Sequence, residues 1–292
     1  MSRLIEPSLL EHALLPDAHP DHPLADTLLG ANIDPPQHYD EAAQVLQPIS
    51  RARVRRFVGL PETYLGVDLW QCFEFSWLGP RGVPAVRYLE LSIPADSPSL
   101  VESKSLKLYL NAFALSRFDS EAHVLRALNA DLSAAFGVAV GVELQTLSQM
   151  APIDRRLPGE CIDDAAIEIQ AFAPDAALLT PVAAEPVARV WHSHLFRHLC
   201  PVTGQPDWAS IVIDYAGPKL EAGALLHYLV SFRQHQGFHE AMVERLYTDL
   251  LEACGPERLS VQGLFLRRGG IGICPFRSSS ATPAPRLRTA RQ

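Results

Sequence analysis

The feature that most constrains this chain is a repeat hidden in its own sequence. Val101, Glu102, Leu106, Tyr109, Leu110 and Phe113 align at a constant offset with Leu220, Glu221, Leu225, Tyr228, Leu229 and Phe232. After a slip of one residue, Leu125, Leu128, Asp131 and Leu132 align with Val243, Leu246, Asp249 and Leu250. Helical spacing alone can reproduce the leucines, but it does not reproduce shared aromatic and acidic positions. The chain is therefore expected to hold two copies of one structural unit.

The pattern within each copy sets its architecture. Strands fit at 69–78 and 85–93 around the turn Gly79-Pro80-Arg81-Gly82, followed by helices from Ser103 and over 120–135. Strands at 138–147 and 164–172 complete the first copy. The second repeats the order, with strands at 188–196 and 209–216, helices at 221–235 and 239–253, and strands at 258–267 and 271–276. Each copy thus reads ββααββ, an α+β unit with an antiparallel sheet and two helices. The expected division is 61–186 for the first copy and 187–292 for the second. Residues 1–60, rich in proline and histidine, read as a loop-rich extension draped over the core, with no chemistry assigned. The arginine-rich end from Arg277 onward (RSSSATPAPRLRTARQ) reads as flexible.

Composition narrows the class of function. A chain of 292 residues, 48% apolar and 20% charged, can bury substantial cores. A net charge of −8 argues against nucleic acid as a direct partner, because phosphates need a basic face. The cysteines at 72, 161, 200, 254 and 274 form no CxxC, which points to reduced thiols in a cytoplasmic protein. Arg3, Glu6 and Pro7 interrupt the first ten residues, so no signal peptide is expected, and no apolar run reaches membrane-spanning length.

The copies differ where chemistry would sit. The first has Ser103-Lys104-Ser105 and Lys107 where the second has Ala222, Gly223, Ala224 and Leu226. The second has Cys200, Asp207 and His239-Glu240 where the first has a plain turn at 79–84. Such complementary losses suggest one active site drawn from both copies. The loop Cys200-Pro201-Val202-Thr203-Gly204-Gln205-Pro206-Asp207 is stiffened by two prolines and a glycine, so its thiol and carboxylate can face one small volume. A nucleophile beside a proton carrier is one reading, and a packed cysteine opening a hairpin loop is the other. Lys104 and Lys107 are two of only three lysines among 25 basic residues. Together they suit either a phosphate or a solvated helix face.

The stretches CPVTGQPD, VESKSLKLYL and SFRQHQGFHE resemble the NADPH-dependent 7-cyano-7-deazaguanine reductases (QueF), the nitrile reductases of queuosine biosynthesis. The resemblance runs from about Leu69 to the C-terminus, in the arrangement of the longer, two-repeat subfamily. It implies tandem tunnelling-fold units whose sheets join into a barrel in a homodimer. It also implies reduction of the nitrile on a free deazaguanine base to a primary amine with two NADPH. By the same resemblance, Cys200 forms a covalent thioimide and Asp207 donates the proton. Val101, Glu102, Ser103, His239 and Glu240 would hold the base, and Ser103, Lys104, Arg268 and Gly269 would contact NADPH. No metal is implied.

The chemistry suits these residue types. A nitrile carbon accepts hydride poorly, and adding a thiolate makes a thioimidate that accepts it better. An ionised Asp207 would repel a neighbouring thiolate, so the consistent assignment has it take the thiol proton and pass it to the nitrile nitrogen. A carboxylate at Glu240 matches adjacent N–H donors on a guanine-like edge, and also suits the first turn of a helix. Arg267-Arg268-Gly269-Gly270 offers charge and flexible backbone N–H groups for a phosphate, or a glycine turn with solvated arginines. No GxGxxG follows a strand, so a Rossmann mode is not expected.

Two rival functions remain open on the sequence. His192, His194, His198 and Cys200, with Cys161 in reserve, could ligate zinc as in tunnelling-fold cyclohydrolases acting on a purine nucleotide, although the spacing departs from the usual CxxC or HxxxH. Alternatively, the chain could be a non-catalytic purine-binding module in which Cys200 is merely packed.

Overall fold

In the computed structural model, residues 35–292 are described, apart from 151, 155 and 171. The long alternating stretches form strands β2 (Gly66–Leu78) and β3 (Pro84–Pro94), then β7 (Ala183–Leu199) and β8 (Pro206–Lys219). Between and after them lie β4 (Ser99–Val101), α2 (Ser103–Ala112), α3 (Glu121–Phe136), β5 (Gly141–Gln145) and β6 (Glu160–Cys161). The second copy continues with α4 (Ala222–Ser231), α5 (His239–Cys254), β9 (Arg258–Phe265) and β10 (Ile271–Ser278). One eight-stranded sheet runs in the order β5-β3-β2-β10-β9-β8-β7-β6, antiparallel except where β6 pairs with β7.

The copies are joined by β2 pairing with β10, from Ile271↔Cys72 to Arg277↔Gly66. At this seam a Cβ on Gly66 would lie 2.0 Å from the Phe276 carbonyl oxygen, and φ is +145°. Glycine is therefore required for the two strands to approach.

The repeated residues do the same work in both copies. Leu106, Tyr109 and Phe113 are fully buried beneath the first sheet half, as are Leu225, Tyr228 and Phe232 beneath the second. Tyr109 Oη donates to Asp131 Oδ2 at 2.9 Å, and Tyr228 Oη to Asp249 Oδ2 at 2.6 Å. The shared aspartates thus satisfy the buried phenols that the helix pairs would otherwise leave unpaired. Both second helices end on a left-handed glycine, Gly137 and Gly255.

Three expectations need correction. The strand expected at 164–172 does not form among the described residues; the fourth strand that residues 61–186 give to the sheet is instead the two-residue β6, which pairs with β7 of the second copy. Ile169 packs instead against the second core, and Gln170 N donates to His227 Nε2. Alternating apolar residues lie equally well against a helix as within a sheet.

The extension is also more structured than expected. Beyond residues 1–34, which lie outside the described part, it carries a 3-10 helix (Tyr39–Val45), β1 (Pro48–Ser50) and α1 (Arg51–Phe57). β1 pairs with β4, and α1 buries Arg51 and Arg55.

The C-terminal residues, expected to be flexible, are packed. Arg277 belongs to β10 and is fully buried. Gln292 Nε2 donates to Phe265 O at 2.7 Å, Arg267 N donates to Arg291 O, and Ala284 and Leu287 cover a small core on the second face of the sheet. Composition treats these arginines as solvated, but the tail finds main-chain partners along the sheet.

Candidate active site at the junction of the two copies

Both copies line a cavity of about 380 Å³. The first contributes the end of β4 and the start of α2, with Val101, Glu102, Ser103, Lys104 and Lys107. The second contributes the β7–β8 loop, the start of α5 and the β9–β10 turn, with Cys200, Asp207, His239, Glu240 and Arg268.

The β7–β8 loop closes on itself. Cys200 N donates to Gln205 O at 2.8 Å and Gly204 N to Cys200 O at 3.0 Å, with Gly204 at a φ of 65°. This turn holds the half-buried Cys200 at one end and Asp207, on β8, at the other.

Asp207 is buried between Arg268 and His239. Arg268 Nη1 donates to its Oδ1 at 2.8 Å, and His239 Nε2 lies 3.3 Å from its Oδ2. Burial opposes the charge, but the His239 and Arg268 contacts outweigh it and hold the carboxyl down to about 2. Arg268 Nη2 also donates to Gln205 Oε1, tying the two loops together. His239 stacks on Phe265 at 4.0 Å. Beneath it, burial and the nearby His239 push His198 down to about 3, and its Nε2 is buried without a hydrogen-bond partner.

The carboxylates of the site divide in role. Glu102 caps α2, accepting from Lys104 N at 2.9 Å and Ser105 N at 2.7 Å. Glu240, in the first turn of α5, is buried at the cavity wall, and burial together with Asp68 raises its carboxyl. Below Glu240 lies a buried ion cluster. Arg277 pairs with Asp68 and Glu244, each at 2.7 Å, while Arg51 pairs with Asp68 at 2.5 Å and Arg55 with Glu244 at 2.7 Å.

At the mouth, Lys104 is exposed and Lys107 half-buried. Burial and the charge of Arg268 lower the Lys107 ammonium. Gly269 does not line the cavity, but a Cβ there would meet the Lys107 side chain at 3.1 Å.

Two family models match the chain. One, described as nitrile reductase, 7-cyano-7-deazaguanine-reductase N-term, covers residues 36–144, and the other, described as QueF-like protein, covers 206–284. An NADPH-dependent 7-cyano-7-deazaguanine reductase of Chromohalobacter salexigens is 47% identical over 276 residues, covering 93% of this chain and 99% of the relative. The chain belongs to the 7-cyano-7-deazaguanine reductase family. Another relative of the same name, from Azoarcus sp., is 47% identical over 82% of this chain and 86% of its own. The solved apo form of the archaeosine synthase QueF-Like aligns with 34% of this chain at 18% identity and a TM-score of 0.29, a likeness on which no argument rests.

In this member of the reductase family, the cavity gathers every site residue expected from the sequence except Gly269. Two of them have unforeseen neighbours: Arg268 and His239, expected at cofactor and base, both engage Asp207. Gln47 from the extension and Trp70, not singled out in the sequence, also line the wall, as does Lys107, singled out there with Lys104 as suiting either a phosphate or a solvated helix face. For Lys107 the signal was its spacing of three from Lys104, which puts both on one helix face.

The histidines of the zinc reading separate. A β-bulge in β7 between Ser193 and Phe196 shifts the alternation, so His198 joins Asp207 and His239 while His192 and His194 do not. His198, Asp207 and His239 have donor atoms within 4.8 Å of one another, but Arg268 already sits on the Asp207 carboxylate, a fixed positive charge that a cation there would face.

Proposed function

We propose that this chain reduces the nitrile of 7-cyano-7-deazaguanine to a primary amine in queuosine biosynthesis, through a covalent thioimide at Cys200. The observation that carries the reading is that one closed loop presents Cys200 and Asp207 to the same cavity as the buried Glu240. The Cys200 sulfur would bond to the nitrile carbon while its proton passes by way of Asp207 to the nitrile nitrogen. His239 and Arg268 keep Asp207 ionised, so it has a free carboxylate oxygen lone pair but holds a proton weakly while both contacts are in place. Two NADPH, bound in turn, would each supply one hydride to that carbon, and the Cys200 sulfur would leave it as thiolate between the two.

The residues present fit both ligands. Lys104, Lys107 and Arg268 place three positive charges around the mouth, where phosphate would sit. Were Arg268 to turn toward that phosphate, Asp207 would lose a cationic partner and hold its proton more readily. Glu240 would accept the adjacent ring N–H and amino donors of the base, while Val101 and Ser103 border it. Glu102, occupied as a cap, would fix the α2 backbone that borders the base.

We also place the protein in the cytoplasm as a homodimer with no direct nucleic-acid partner. β5 and β6 end the sheet, and a second copy would cover such edges. No helix among the described residues is long and apolar enough to cross a membrane.

The deciding experiment follows the absorbance of the enzyme–nitrile adduct. Cys200→Ala should bind the base, form no adduct and turn over nothing. Substantial NADPH-dependent reduction by that variant would overturn the covalent reading.

A further inference from the structure

The bulge that sends His198 into the active site leaves His192 and His194 on the other face of the sheet. There β6 lays Cys161 directly opposite His192 in the parallel pair. The donor atoms of Cys161, His192 and His194 lie within 4.8 Å of one another beside a separate cavity of about 560 Å³. We propose that these three side chains bind a divalent transition-metal cation of the Zn2+ type, at a site distinct from the nitrile-reducing centre.

Three observations support this assignment. One thiolate and two imidazoles suit zinc and its neighbours, and disfavour magnesium or calcium. Both rings are also oriented from behind. His192 Nδ1 donates to Pro158 O at 2.9 Å and His194 Nδ1 contacts Ser210 Oγ at 2.8 Å, so each keeps Nε2 for a metal, the outer support usual for ligating histidines. Finally, Asp163 accepts from His194 N and from Ser193 Oγ, bracing the strand at the ligand position.

Arg291 lines the same cavity. Its Nη2 donates to His194 O at 2.7 Å, and its Nη1 is buried without a hydrogen-bond partner. A cation held by three protein ligands keeps a fourth position, and an anion there would pair with Nη1. Dication, thiolate and small anion then sum to no net charge beside the guanidinium. On binding, the Cys161 thiol proton leaves to solvent as the sulfur–metal bond forms, and both imidazoles ligate neutral.

The test uses full-length protein freed of metal by a chelator and titrated with Co2+. One equivalent should produce a thiolate-to-cobalt charge-transfer band and the visible bands of a tetrahedral ion, and Zn2+ should bleach both. Cys161→Ser, a change at an exposed position, should abolish the charge-transfer band, while His194→Ala should weaken binding at least about tenfold. Cys161→Ser should still reduce the nitrile. Absence of the band in excess Co2+, its survival in Cys161→Ser, or its loss in His198→Ala would each overturn the assignment.

Discussion

At the scale of single residues, the site is built from charges whose partners set their state. Glu240 is buried and its carboxyl is raised, so the free protein leaves it poorly compensated and ready for donors from a ligand. Glu240→Gln should weaken base binding by roughly 2 kcal/mol, the scale of a charge-assisted contact. Calorimetry showing unchanged affinity would return Glu240 to a helix-start role. His198 gives a stability prediction. Its pKa is lowered from 6.5 to about 3, so the folded state keeps it neutral where the unfolded chain protonates. Its contribution is fully present above 6.5 and is lost as pH falls toward 3, by up to about 1.4 kcal/mol per pH unit. Among Phe196, Phe265 and His239, a phenylalanine suits the same space. Denaturant titrations of His198→Phe across that range should show a flatter acid slope, and an identical slope would assign the acid sensitivity elsewhere.

At the scale of elements, α1, β2, α5 and β10 are pinned together by Arg51, Arg55, Asp68, Glu244 and Arg277, all buried. Asp68 serves Arg51 and Arg277, while Glu244 serves Arg55 and Arg277 with Arg51 at 3.9 Å, so removing Glu244 leaves Arg55 buried without a carboxylate and Arg277 with Asp68 alone. Glu244→Ala should cost about 3–5 kcal/mol in unfolding free energy, well beyond a surface substitution. An equilibrium denaturation midpoint near that of the parent would show that the cluster relaxes or hydrates. Glu244 lies one turn after Glu240, so the cluster sits behind the cavity wall that Glu240 forms. The sequence could not reveal it, since its members come from four separated segments and arginine is ordinarily a surface residue.

At the scale of the whole molecule, the seam between the copies is also the site. Lys104 comes from the first copy and Cys200 from the second, and the pairing of β2 with β10 holds the halves in register. Lys104→Ala should raise the apparent NADPH requirement several-fold while adduct formation at Cys200 stays near normal, because thiolate addition needs no hydride. Wild-type cofactor dependence in that variant would remove Lys104 from the phosphate region. Light scattering should give twice the 32.1 kDa chain mass, and a fully active monomer would rule out closure by a second copy.

The repeat was legible because it is written in local periodicity: aromatic, acidic and leucine positions recur, and helices and strands respond to neighbours along the chain. The paired losses of Lys104 and Cys200 between copies were legible for the same reason. What only the tertiary structure decided depends on residues far apart in sequence. The bulge in β7 sorts His198 from His192 and His194, a shift that strict alternation cannot register. Arg268 turned out to be bound to Asp207, across a separation of 61 residues. The ordered C-terminal residues and the segment at 164–170 follow the same rule. Their composition or alternation permits several outcomes, and the surface available to pack against selects one.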